Sequence, residues 1–168
     1  MEHAIKQADF LHSRFKTRNP FEIADNLKII IKFGDFEHLK GFYKYVCRNR
    51  FIAVSSRSDA TEQMIICSHE LGHDQLHRNQ AKTGLMKDYH IYNAMDVCER
   101  EANYFAAQLL IDNNDFLAYA NIQYTYAQIA AELNVHEELA IIKGAILNRQ
   151  GHKLNVSYEP AAGYLGQK

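Results

Sequence analysis

Long apolar runs are missing from this chain. No segment approaches the roughly 18 to 20 consecutive apolar residues of a membrane span, and Glu2, Lys6 and Asp9 interrupt the place where a signal peptide needs its apolar stretch. A soluble, cytoplasmic protein is therefore expected. An excess of one charge is missing too: 19 Lys and Arg stand against 20 Asp and Glu, a net charge of -1 with a sequence pI of about 6.7. That balance gives no electrostatic reason to expect a nucleic-acid surface. Cysteine is sparse. Cys47, Cys67 and Cys98 are odd in number, widely spaced and form no C-x-x-C, which argues against a disulfide framework and against a thiolate metal site. They are expected as reduced residues, with Cys67 and Cys98 as buried thiols. No internal repeat, low-complexity tract or composition shift marks a linker. With 168 residues and 47% hydrophobic content, the chain can bury one core and is short for two, so a single domain over residues 1–168 is expected.

What the chain does have is His69-Glu70-Leu71-Gly72-His73, set in the run Met64-Ile65-Ile66-Cys67-Ser68 to His77. On a helix, histidines four residues apart stand one turn above each other on the same face. Both imidazoles can then converge on one zinc ion, while the glutamate between them reaches a water at the ion. This is the pattern of a zinc peptidase.

Local signals place the motif within an expected α+β order. A helix is read from about Ile5 to Lys16, and a second starts at Asn19-Pro20-Phe21-Glu22, where Asn caps and Pro occupies the first turn. Three runs rich in Ile, Val, Phe and Tyr follow, Leu27 to Phe33, Leu39 to Cys47 and Arg50 to Ser55. They are expected to pair as a small antiparallel three-stranded sheet. The motif helix should begin near Asp59 or Thr61, with Ser58 or Asp59 as cap, and run to about His77. Another helix spans roughly Asp96 to Leu110. Shorter helices are expected at Phe116 to Ala120, Tyr126 to Leu133 and Glu137 to Arg149, with a Thr125/Gln128 capping box for the middle one. The expected sections are thus 1–58 for N-terminal helices and sheet, 59–112 for the zinc-binding core, 113–150 for C-terminal helices and 151–168 for a tail.

A hydrolytic zinc site needs a third protein ligand and one open position. The extended motif with a third histidine six residues beyond the second is ruled out, because Asn79 occupies that place. The best donor is on the helix Glu99-Arg100-Glu101-Ala102-Asn103. Glu99 and Asn103 share a face, so Glu99 can ligate zinc while the Asn103 amide oxygen accepts a proton from the outer nitrogen of a zinc-bound histidine. Glu101 points about 200 degrees from Glu99 on a regular helix and is set aside. His77 continues the metal face a further turn from the ion and is read as a packing or hydrogen-bonding residue.

These blocks together resemble the ImmA/IrrE metallopeptidases of bacteria and their mobile elements. The resemblance rests on Arg50-Phe51-Ile52-Ala53-Val54, on His69 to His77 with its trailing Leu76-His77, and on Glu99 to Leu110. It implies a helix-sheet-helix zincin fold in which His69, His73 and Glu99 bind Zn2+ and Glu70 is the general base. It also implies a helix-turn-helix repressor of a mobile element or stress regulon as protein substrate. One departure stands out: many relatives follow the Glu helix with Met-Pro, whereas this chain has Ile111-Asp112, which bears on the shape of the nearby substrate wall.

Three points stay open at this level. The oxyanion donor is not assigned among Tyr89, His90, Tyr92, Tyr126 and His136. An edge strand, with Arg50 to Ser55 as the candidate, could align an extended substrate by strand addition. Two other functions compete with proteolysis: a zinc-bound module that displaces the repressor without cutting, and a DNA-binding regulator built on Thr125 to Val135 as the start of a helix-turn-helix. Glu137 and Glu138 weigh against the latter, since carboxylates at the tip of a recognition helix repel phosphates.

Overall fold

The computed structural model describes residues 1–37, 39–82 and 92–156, and within this range the side chains of residues 81–82 and 92–96 are left undescribed. The chain resolves into two compact units, Met1–Leu110 and Ile111–Lys168. No helix among the described residues is long and apolar enough to cross a membrane.

The first unit opens with α1 (Glu2–Phe15), which buries Ala4, Ala8 and Leu11, one stripe at helical spacing. Its chain direction changes at Lys16, which takes the left-handed conformation. Helix α2 (Pro20–Asn26) starts as its sequence implies. The Asn19 side chain accepts from the Phe21 and Glu22 amides at 2.9 and 3.4 Å, and Pro20 takes the first turn, where its missing N–H costs nothing.

Three strands follow, β1 (Ile30–Gly34), β2 (Gly41–Val46) and β3 (Asn49–Ser55). The expectation of an antiparallel sheet holds for only one pair. β2 and β3 form a hairpin across Cys47 and Arg48, whose positive φ values of 50 and 63 degrees are those of the two-residue turn that matches strand twist. β1 instead lies parallel to β3, and the order is β1-β3-β2. The reason is burial. β3 carries Ile52, Ala53 and Val54, all nearly inaccessible, so it takes the centre and is covered from both sides. The segment between β1 and β2 then carries the chain to the far edge. This order also corrects the expected substrate-binding edge: Arg50 to Ser55 is the central strand, and β2 is an edge.

Helix α3 (Ala60–Leu76) carries the histidine motif. Asp59 caps it, accepting from the Glu62 amide at 2.8 Å. Its middle is buried almost all round, from Ile66 to Asp74, because β2 and β3 press on one side and the last helix of the unit on the other. After the short α4 (Arg78–Lys82), α5 (Tyr92–Leu110) packs against both α3 and α1. Gly72 is what lets α3 and α5 meet so closely. A Cβ there would stand 3.1 Å from the Ala102 Cα and 3.2 Å from the Phe105 ring. The core of this unit joins Leu11, Ile23, Ile52, Val54, Leu71, Phe105 and Leu109.

The elements described in the second unit are helices. Asp112 caps α6 (Asn113–Asn121), which therefore starts earlier than the Phe116 expected. Thr125 and Gln128 form the reciprocal capping box of α7 (Tyr126–Leu133). Asn134, in the left-handed conformation, ends that helix and leads to α8 (Glu137–Arg149).

Candidate metal centre

Helix periodicity stacks His69, His73 and His77 on the face of α3 that meets α5. There the Nε2 atoms of His69 and His73 lie 3.1 Å apart. Glu99 completes a triangle, with Oε2 at 3.1 Å from His69 Nε2 and Oε1 at 3.3 Å from His73 Nε2. A tetrahedral zinc ion with ligands at about 2.0–2.1 Å requires ligand atoms about 3.3 Å from one another; the two short Glu99 contacts use different carboxylate oxygens, and with one ligand atom per residue the three lie within 4.8 Å of one another. Among the described residues, His69, His73 and Glu99 are the group able to hold a metal ion.

Hydrogen bonding around the triangle determines what its donors can offer. The Asn103 side chain takes the outer nitrogen of His69, whose Nδ1 donates to Oδ1 at 2.8 Å. A neutral ring protonated at Nδ1 presents a lone pair at Nε2. On the other histidine, Nδ1 faces Nδ1 of His77 at 3.1 Å, and His77 in turn directs Nε2 at Glu101 Oε2 at 3.1 Å. An ionised carboxylate only accepts, so His77 donates from Nε2 and accepts at Nδ1, and the proton of the His73 pair resides on His73. With a cation within the triangle both rings can turn Nε2 lone pairs to it; without one, the same nitrogens lie within hydrogen-bonding reach of the Glu99 carboxylate.

Electrostatics express the same preference for positive charge. Burial alone would lower the His69 pKa, but the hydrogen bond to Glu99 and the charges of Glu70 and Glu99 carry it above its ordinary value. Hydrogen bonds from His69 and then His73 hold Glu99 well below the usual carboxylate range. Burial pushes Glu70 upward, against the pull of the two histidines and of the Tyr43 main chain. Burial likewise lowers His77.

Glu70 is 8% exposed and lies against the sheet edge: a Cβ on Gly41 would sit 3.6 Å from its Cγ. The Val46 and Asn49 pair flanks the two-residue turn, and in such a hairpin alternate residues bond across the pair. The main-chain groups of Gly41, Tyr43 and Tyr45 therefore face outward from β2. The carboxylate, the histidines and the β2 edge of the sheet occupy one neighbourhood.

Behind the triangle, Asp74 is fully buried beside His73. It ion-pairs with Arg50 at 3.1 Å and Arg78 at 2.9 Å. Arg50 also donates to the Leu27 carbonyl, so this network ties β3 to the histidine helix.

Residues 24–143 match the IrrE N-terminal-like domain, a peptidase family. The chain belongs to the ImmA/IrrE family. One relative, the "Uncharacterized immunity region protein 2" of Bacillus phage phi105, is 39% identical over 134 residues, covering 79% of this chain and 84% of the phage protein. The ImmA/IrrE membership agrees with the resemblance carried by the motif blocks.

Of the site residues expected from sequence, His69, His73, Glu99 and Asn103 are brought together, and Glu70 stands beside them. Glu101 was set aside by its angle from Glu99. It indeed stays out of the triangle, but it reaches His77, and its other oxygen pairs with the Met1 ammonium at 3.2 Å. The available signal was the third histidine of the α3 series, which needed a partner. Tyr89, His90 and the Tyr92 side chain lie outside the described residues, and Tyr126 and His136 belong to the second unit.

Proposed function

We propose that this ImmA/IrrE protein is a zinc-dependent endopeptidase of narrow specificity, with a helix-turn-helix repressor as its substrate. The observation that carries this reading is the convergence of His69 Nε2, His73 Nε2 and the Glu99 carboxylate, within 4.8 Å of one another, beside the buried Glu70. His69, His73 and Glu99 would hold the ion, and Asn103 would orient His69. Zinc in that place would supply Lewis acidity to the scissile carbonyl and acidify a water toward a pKa of about 7.

The remaining work falls to the chain itself. Glu70 accepts the proton of the attacking water and delivers it to the leaving amine. Its burial suits this role, because a raised carboxyl pKa makes Glu70 a stronger base toward the proton of the attacking water. An extended substrate segment would add along the outward edge of β2, beside Glu70. The repressor as substrate is supported by the immunity-region origin of the phage relative, and such a partner would be met in the cytoplasm.

The test is incubation of zinc-loaded protein with the repressor encoded beside it, followed by intact-mass spectrometry, with Glu70→Gln as control. One discrete cut, absent with the variant, is expected. Intact repressor in a stable complex with both proteins would replace the peptidase by a zinc-bound module that displaces its partner.

A further inference from the structure

The buried polar ring that this mechanism does not use is His77, 3% exposed. It sits at the end of α3, where its main-chain N–H reaches the His73 carbonyl at 2.9 Å. Any residue but proline supplies that bond, so the helix end does not explain the imidazole. The ring bridges two groups instead, with Nδ1 at 3.1 Å from His73 Nδ1 and Nε2 at 3.1 Å from Glu101 Oε2.

We infer that Glu101 and His77 are positioning residues that fix the tautomer and orientation of His73, so that its Nε2 lone pair is directed at the metal position; this rests on the zinc reading above. The two histidine ligands are served differently. His69 meets the Asn103 amide oxygen, and nothing else is needed to make that oxygen an acceptor. His73 meets an imidazole nitrogen, which can donate or accept. With a proton on His77 Nδ1, His73 Nδ1 would have to accept, and its own proton would sit on Nε2 in the metal position. Glu101 prevents this by demanding the His77 proton at Nε2. The carboxylate two residues beyond the proposed ligand Glu99 therefore acts on the metal through two imidazoles, without touching it. Outer partners of metal-bound histidines commonly matter by 10- to 100-fold in metal affinity.

The test measures zinc affinity by competition with a chromophoric chelator, together with the visible spectrum of the cobalt(II)-substituted protein. Three variants are compared with wild type. His77→Leu removes the acceptor and should weaken zinc by about 10- to 100-fold, with a changed cobalt spectrum. His77→Asn places an amide oxygen where Nδ1 stood and should restore affinity to within about threefold, which a purely packing role would not predict. Glu101→Leu should weaken zinc by about 3- to 10-fold while leaving the fold intact, since Glu101 is partly exposed. If His77→Leu does not fold, His77→Asn and Glu101→Leu decide the matter between them. Wild-type affinity and an unchanged cobalt spectrum in Glu101→Leu would overturn the inference while leaving the zinc site standing. A wild-type protein that binds neither zinc nor cobalt would overturn the metal reading itself, and this inference with it.

Discussion

At the scale of single residues, each side chain near the metal position is constrained by one acceptor or one charge. Asn103 has one function toward His69, so Asn103→Leu should lower zinc affinity by about 10-fold, and Asn103→Asp, which keeps the acceptor, should not; chelator competition distinguishes them. Asp74 is a different case. It is fully buried between Arg50 and Arg78, and removing one partner of a buried pair leaves the other charges uncompensated. Asp74→Ala should therefore cost about 3 kcal/mol or more in urea unfolding. The cysteines differ by exposure: Cys47 is open, Cys98 intermediate and Cys67 buried. Burial pushes the Cys67 and Cys98 thiols up, which leaves less thiolate to react at neutral pH. A disulfide reagent should thus modify Cys47 first, Cys98 more slowly, and Cys67 only when the protein is unfolded.

Elements are positioned by caps and close approaches. The Asp59 cap sets where α3 begins, and Asp59→Ala should cost about 1 kcal/mol, read as a lower denaturation midpoint with unchanged slope. The α3 and α5 contact depends on the absence of a side chain at Gly72. Gly72→Val would force its methyl groups against Ala102 and Phe105, costing about 1–3 kcal/mol by overpacking. Because the same contact sets the distance between the His73 ring and Glu99, this variant should also bind zinc more weakly. That second loss separates it from Asp59→Ala, where the helix faces are unchanged.

For the whole molecule, the proposed metal joins α3 to α5, two elements far apart in sequence. Such a ligand binds the native state and not the unfolded chain, so it stabilises in proportion to its free concentration over its Kd. Zinc should raise the melting temperature of wild type, and a chelator should reverse the rise. Glu99→Gln should show neither effect. Calorimetry with and without zinc checks both statements.

Sequence by itself determined what depends on neighbours along the chain. Four-residue spacing put His69 and His73 on one face, and the same geometry preferred Glu99 with Asn103 over Glu101. Asn19, Asp59 and the Thr125/Gln128 pair act on amides two or three residues away, which is why these helix starts were readable. Tertiary structure alone decided the rest. Strand order was hidden because β-rich runs state that they will pair and not with whom; burial of Ile52 and Val54 placed β3 at the centre, made β1 parallel to it and left β2 as the edge. The role of Glu101 was hidden for a related reason. Its angle on α5 is a local property, but its contact with His77 exists only because Gly72 lets a second helix approach, and a hydrogen bond over that sequence distance has no local signature.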